Sequence, residues 1–205
     1  MRFLITAGPT REPIDPVRFI SNHSSGQMGQ ALIAAALDAG HEVTAILGPV
    51  ALETPSGARR IDVQTTRQMY DAVMDQFPAH DVLIMAAAVA DYRSKNVATE
   101  KLGRSGSLTL ELEATEDIVA AAAATKTPTQ QVIGFSLESE GNLDRARAKL
   151  QRKKLDIIVF NPLRTMNSAA IQATLIYADG RQTTLPESSK QAFAEYLIQC
   201  LSRHD

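Results

Sequence analysis

The sequence contains a single cysteine, Cys200, which excludes an internal disulfide framework and suits a reducing cytoplasm. Its place in the apolar pattern of the last helix reads as a buried structural thiol rather than a nucleophile. A formal net charge of −2 argues against a dedicated nucleic-acid binder, while leaving room for a local basic pocket. No apolar run approaches the roughly 18–20 residues needed to span a bilayer, and Met1-Arg2 leads straight into a strand-like run without a signal-peptide pattern. The histidines His23, His41, His80 and His204 show no ligand spacing, and neither an HExxH helix nor a cysteine cluster occurs, so no protein-held metal is expected. Also missing are a Walker A sequence, a G-x-S-x-G elbow and the G-x-G-x-x-G dinucleotide fingerprint. Tyr92 and Lys95 are three apart, not the four of short-chain dehydrogenases. The expectation is a cytoplasmic protein with no membrane or nucleic-acid partner.

What the sequence does contain is an alternation of strand and helix patterns over a length that fits one domain, 1–205. Strands are predicted over 2–6, 42–47, 60–63, 82–88, 108–112, 131–136 and 156–160. Helices are predicted over 27–39, 66–77, 117–125, 142–153 and 187–203. The run at 82–88 is continuously apolar, as in a central parallel strand buried on both faces. Past Pro162, 171–177 and 181–185 flank Asp179-Gly180 as a β-hairpin, an added flap or edge spanning about 170–186. The fold class is α/β: a doubly wound, Rossmann-like, mostly parallel sheet with a C-terminal hairpin extension and a closing helix.

Two connections are too long for ordinary α/β loops, which take about 2–6 residues. The first, from Thr6 to the helix start near Gln27, carries Pro9, Pro13 and Pro16 and closes on Ser24-Ser25-Gly26, which offers helix N-cap chemistry and an anion site. Open α/β sheets bind ligands at the carboxyl ends of such strands. Gly8, Ser24, Gly26 and Gly29 are small residues that let backbone approach a phosphate, or that only permit a turn and tight packing. Asn22 is a candidate oxyanion donor and His23 a candidate base, against plain turn or capping roles. Arg11, Arg18 and Lys101 are candidate anion ligands or simply solvated. The second long connection, 89–107, holds Asp91, Lys95, Lys101, Gly103 and Gly106, as in loops that close over substrates. Arg145, Lys149 and Lys153 recur at i, i+4 and i+8, a like-charge row that a facing anion would relieve.

The residues themselves go further than their spacing. The run from Ile5 to Gly26, reading ITAGPTREPIDPVRFISNHSSG, closely resembles the opening motif of the phosphopantothenate–cysteine ligase family. Ala86 to Tyr92, then Glu100-Lys101, Asp117-Ile118-Val119, Gly134-Phe135, and Lys149 with Lys153 follow in that family's order, over nearly the whole chain. The resemblance implies a CTP-dependent ligation through an acyl cytidylate, in coenzyme A biosynthesis. Gly8, Ser24, Gly26 and Gly29 would then cradle the triphosphate. Met85, Ala86, Ala87, Asp91, Phe135 and Glu116-Asp117-Ile118-Val119 would hold the cytidine. Lys101, Lys149 and Lys153 would neutralise the phosphates, with Lys101 on a closing loop and catalytic alongside Asn22. Asn22 and Arg18 would face the phosphopantothenate. The resemblance further implies Mg²⁺ carried on the phosphates, a homodimer with the hairpin as a contact, and a separate or fused decarboxylase partner.

Three departures from the family pattern matter. Glu100-Lys101-Leu102-Gly103-Arg104 stands where Glu-Lys-Ile-Lys-Lys is common, which thins the charge of the closing loop. Glu116 replaces a usual proline and brings an acid towards the base pocket. Phe160-Asn161-Pro162 replaces Ala-Asn-Asp. Two other readings share the strand order and glycine loop: a NAD(P)-dependent Rossmann-type reductase, and a nucleotide-binding regulator without catalysis.

Overall fold

Strand β1 (Arg2–Ala7) lies at the centre of the molecule because its side chains have apolar partners on both sides. Phe3 and Ile5 enter one core cluster and Leu4 enters the other, the period-two alternation of a strand buried on both faces. The computed structural model describes every residue except 105, 139–142, 164–167, 169 and 203–205. The predicted helix ends at Asn142 and Arg203, and His204, lie outside the described residues.

The chain continues through β2 (Arg11–Pro13), β3 (Phe19–Ser21), α1 (Gln27–Asp38), β4 (Glu42–Leu47), β5 (Arg59–Asp62) and α2 (Thr66–Gln76). Then come β6 (Val82–Met85), β7 (Tyr92–Ser94), β8 (Leu112–Ala114), α3 (Ile118–Thr125), β9 (Gln131–Glu138), α4 (Leu143–Lys153) and β10 (Ile157–Pro162). The chain closes with β11 (Ala170–Ile171), β12 (Thr174–Tyr177), β13 (Gln182–Thr184), β14 (Ser188–Ser189) and α5 (Lys190–Ser202). Eight strands form the main sheet in the order β13-β12-β10-β9-β6-β1-β4-β5. The six from β10 to β5 are parallel, and β12 and β13 add to the β10 edge antiparallel. The chain reverses its direction of winding at β1, between β4 and β6, and a crevice at the strands' carboxyl ends follows from that reversal. This is the expected doubly wound, Rossmann-like sheet.

One face is covered by α1 and α5, with Leu32, Ile33, Phe193 and Leu197 fully enclosed. The other carries α2, α3 and α4, with Met69, Val73, Ala122 and Leu150 inward. Each fully buried aliphatic or aromatic side chain of this kind stabilises by about 1.5–3 kcal/mol. Among the described residues no helix is long and apolar enough to cross a membrane.

Several expectations need correction. The predicted hairpin forms as an edge of the main sheet, β12 pairing with β10 and β13 with β12, but its first strand begins only at Thr174, and β11 pairs instead with β14. The strand predicted over 108–112 forms only as β8, paired with β7 through the cross-strand ion pair Arg93–Glu113 at 2.8 Å. Leu108, Leu110 and Leu112 alternate in sequence but have no core to cover, and all three stay exposed. The first long connection, expected as a loop, contains a small antiparallel pair, β2–β3. Cys200 is half-buried rather than buried.

Candidate active site

The two long connections continue the sheet past its strands. Thr10 N–H donates to the Ala88 carbonyl (3.2 Å) and Ala88 N–H to the Gly8 carbonyl (2.9 Å). Thr6 Oγ1 accepts from Ala87 N–H at 3.2 Å, which fixes the turn after β6. Above this platform opens a cavity of about 750 Å³. Its walls bring together 21–29 from the first loop, 85–89 and Asp91 after β6, 114–119 before α3, Phe135 on β9, and Lys149 and Lys153 on α4.

Two glycines shape the α1 end of the cavity. Gly26 has φ 79°, the left-handed region that glycine occupies without a Cβ penalty. It serves as the N-cap of α1, and among the described residues no side chain caps that helix. The run Ser24-Ser25-Gly26 offers serine caps, but neither serine caps the helix. Instead Ser24 Oγ accepts from Gly26 N–H at 3.3 Å, one residue too early, because the left-handed turn at Gly26 redirects the chain. The first-turn amides of α1 therefore meet the cavity with no side-chain acceptor. Gly29 lets α1 lie against β1: a Cβ there would overlap that of Ala7 and sit 3.1 Å from the Ala7 Cα.

Asn22 stands at the cavity wall with its side-chain amide donating to the Ala88 carbonyl at 3.0 Å, so its position is set by the neighbouring loop. On the other side, Asp117 N-caps α3, its Oδ1 accepting from Ala120 N–H (3.2 Å) and from Lys153 Nζ (2.9 Å). Lys149 Nζ donates to the Phe135 carbonyl at 3.0 Å. Glu116 is turned to Arg93 at 3.1 Å and lies 3.8 Å from Arg67. Burial pushes its carboxyl up, but a backbone hydrogen bond and the Arg93 and Arg67 guanidiniums leave it below the usual range. The acid that departs from the family pattern is thus already neutralised from behind.

Three expected site residues do not line the cavity. Gly8, also at φ 79°, lies beneath Gly26, where a Gly26 Cβ would be 3.5 Å from the Gly8 Cα. Arg18 donates to the Asp15 carboxylate through Nε (2.9 Å) and to the Leu102 carbonyl (2.7 Å). Asp15 has a fully enclosed side chain that also accepts from the backbone N–H of Val17 (2.8 Å), Arg18 (2.7 Å) and Leu102 (3.1 Å). The Arg18 guanidinium holds its carboxyl far below the usual range. Leu102 follows Lys101, so this clasp pins the lysine loop to the first loop, with Lys101 exposed outside the cavity. The sequence reading missed Asp15, and it missed Asn161 and Lys190, which line the cavity.

Among the described residues no three or more His, Cys, Asp or Glu side chains converge to hold a metal. Asp91, Glu116 and Asp117 do line the cavity, but the last two are paired with cations. This donor set fits a divalent ion delivered on a ligand's phosphates rather than one caged by protein.

The strand order and this lysine-bearing crevice define a Rossmann-like α/β domain with its site at the topological switch point. Residues 1–204 match the family described as the DNA/pantothenate metabolism flavoprotein C-terminal domain, and the chain belongs to that family. It is 45% identical to the coenzyme A biosynthesis bifunctional protein CoaBC of Vibrio cholerae over 96% of this chain and 51% of that protein. It is 41% identical to the CoaBC of Escherichia coli K12, over 100% and 52%. The crystal structure of a CoaBC C-terminal domain matches with a TM-score of 0.85 at 36% identity, covering 98% of this chain and 93% of that one. The chain spans about half the length of the curated relatives it matches.

Proposed function

We propose that this domain is a phosphopantothenate–cysteine ligase that uses CTP and acts in coenzyme A biosynthesis. The observation that carries the reading is convergence. Asn22, Ser24, Gly26, Gly29, Met85, Ala86, Ala87, Asp91, Glu116 to Val119, Phe135, Lys149 and Lys153 come from five separate parts of the chain and line one cavity. Membership of the family and curated relatives named for coenzyme A biosynthesis support it.

In the proposed first step the phosphopantothenate carboxylate oxygen attacks the α-phosphorus of CTP, forming a mixed anhydride and expelling pyrophosphate. In the second, the cysteine amine attacks the acyl carbon, expels CMP and loses a proton to give the amide. Little covalent chemistry falls to the protein, so positioning and charge stabilisation dominate. The uncapped amides of α1 serve the triphosphate. The Asn22 side-chain nitrogen has a second N–H beyond the one given to Ala88, and the proposal directs it at the acyl cytidylate. Lys149 and Lys153 supply positive charge from α4. Mg²⁺ would screen charge on the phosphates it arrives with. The clasp through Asp15 would hold Lys101 in reserve on its loop until substrate draws it inward.

The family resemblance also leads us to propose a homodimer in the cytoplasm, with a decarboxylase as separate or fused partner. The exposed apolar residues Val17, Phe19, Leu108 and Leu112 lie on and beside β2–β3 and β7–β8, which makes that surface a better contact than the hairpin. The test of the reaction is direct. Incubation with CTP, phosphopantothenate and cysteine should release CMP and pyrophosphate only when all three are present. No substrate-dependent release would overturn the reading, and parallel runs with ATP decide the nucleotide.

A further inference from the structure

The lysines of α4 are not the cavity's whole positive charge. Lys153 is paired with Asp117 at 2.9 Å, and both α4 lysines approach from the α2–α3–α4 face of the sheet. From the other face, Lys190 lines the same cavity. It is the first residue of α5, and its Nζ donates to the side-chain oxygen of Gln27, the first residue of α1, at 3.0 Å. Ser189 Oγ accepts from Ala192 N–H at 3.1 Å, which starts α5 where Lys190 meets the cavity.

This placement is unfavourable twice over without a ligand. A cation in the first turn of a helix faces the positive end of the helix dipole, and neither α5 nor α1 has an acidic residue in its first turn to offset it. Half-burial also strips water from the ammonium, lowering its pKa below the ordinary lysine value. Among the described residues its partner is a neutral amide, not a carboxylate. A multiply charged anion in the cavity would reverse both penalties.

We propose that Lys190 is a phosphate-binding residue of this site, reaching from the α1–α5 face to the polyphosphate that Lys149 and Lys153 meet from α4. The inference rests on the nucleotide reading above and adds a residue to it.

Isothermal titration of the full chain with CTP, inorganic pyrophosphate and cytidine tests this on Lys190→Gln and Lys190→Arg. Losing one charge-assisted contact should weaken CTP and pyrophosphate by about tenfold to a hundredfold. Cytidine binding should not change, and Lys190→Arg should recover most of the loss. The affinity of Lys190→Gln for CTP should also depend less steeply on salt. Equal pyrophosphate and CTP affinity in wild type and Lys190→Gln would overturn the assignment and leave Lys190 as a strut between two helices. Should Lys190→Gln not fold, amine acetylation of the wild type decides, because bound pyrophosphate should shield Lys190 from the reagent. Equal labelling with and without pyrophosphate overturns it. Pyrophosphate binding that depends on Lys190, without CTP turnover by the wild type, would sink the ligase reading and spare this one. CTP turnover with binding indifferent to Lys190 would do the reverse.

Discussion

Replacing Gly29 by alanine tests whether the packing of α1 on β1 sets the geometry of the site. The new Cβ would overlap that of Ala7, and its next neighbours are the Ala7 Cα at 3.1 Å and the Thr6 carbonyl oxygen at 3.4 Å. Carbon atoms rest about 3.5–4.0 Å apart, so α1 must move outward by about an ångström. No flexible side-chain end is available to yield, because the obstructing atoms belong to or sit directly on the β1 backbone. Overpacking costs about 1–3 kcal/mol, and an overlap with an atom fixed on the β1 backbone falls at the upper end of that range, about 2–3 kcal/mol. Alanine recovers about 1 kcal/mol as the better helix former, which leaves a net loss of roughly 1–2 kcal/mol. For a chain of this size that lowers the melting temperature by roughly 2–8 °C. CTP affinity should fall too, since the displaced helix start carries Gly26 and the uncapped amides. Gly103→Ala is the control: beyond its chain neighbours, no atom of the described residues lies within 4 Å of the added carbon, and stability should change by less than about 0.5 kcal/mol. Calorimetry and CTP titration read both effects. A Gly29→Ala protein with wild-type melting and wild-type CTP affinity would refute the argument.

Asn22→Asp should retain CTP binding while amide formation drops by about 10²–10³-fold, the scale of one lost oxyanion donor; normal turnover would remove Asn22 from the chemistry. Asp15 is the pH-sensitive clasp. Its carboxyl is held far below the usual range by Arg18, so its stabilisation is complete above the unfolded carboxylate pKa near 4 and fades as pH falls below it. Denaturant midpoints for wild type and Asp15→Asn should therefore differ by a constant amount above about pH 5 and converge in acid. A difference that persists unchanged to pH 2 would contradict the clasp. The proposed homodimer predicts that the wild type sediments as a dimer and that Leu112→Asp, which places a charge on the exposed apolar surface beside β7, sediments as a monomer with little change in melting; a monomeric wild type refutes the proposed assembly. An intact dimer in the variant would move the contact elsewhere.

The fold was legible where burial is two-sided. The apolar stretches Phe3 to Ile5 of β1, Ala45 to Leu47 of β4 and Val82 to Met85 of β6 are buried throughout, and each strand alternates its contacts between the two core clusters. Legibility failed in the small strand pairs that lie outside the main sheet. β2–β3 and β7–β8 are held by pairing between loops and by surface ion pairs such as Lys95–Glu111, which leave no periodic trace in either segment alone. The alternation of Leu108, Leu110 and Leu112 misled because it covers no core. Ser24-Ser25-Gly26 reads as a serine cap, yet the left-handed Gly26 takes the capping position and leaves the helix amides to the cavity.

The site shows the same division between local and distant signals. Many of the residues named from the sequence that line the cavity sit in runs, such as Asn22 to Gly29 or Met85 to Ala87, in which neighbours in sequence share a wall. The row Lys149–Lys153 was visible because one helix face repeats every four residues. Lys190 belongs to no such pattern. Its partner Gln27 is 163 residues away, and only the packing of α5 against α1 brings the two helix starts to one cavity. Asp15 was hidden for a related reason: prolines on either side make it look like an ordinary turn residue, whereas its carboxylate gathers Arg18 and Leu102 from two loops. The core and the glycine-bearing platform can thus be read along the chain. The charges that act on a ligand are set by which helices and loops meet.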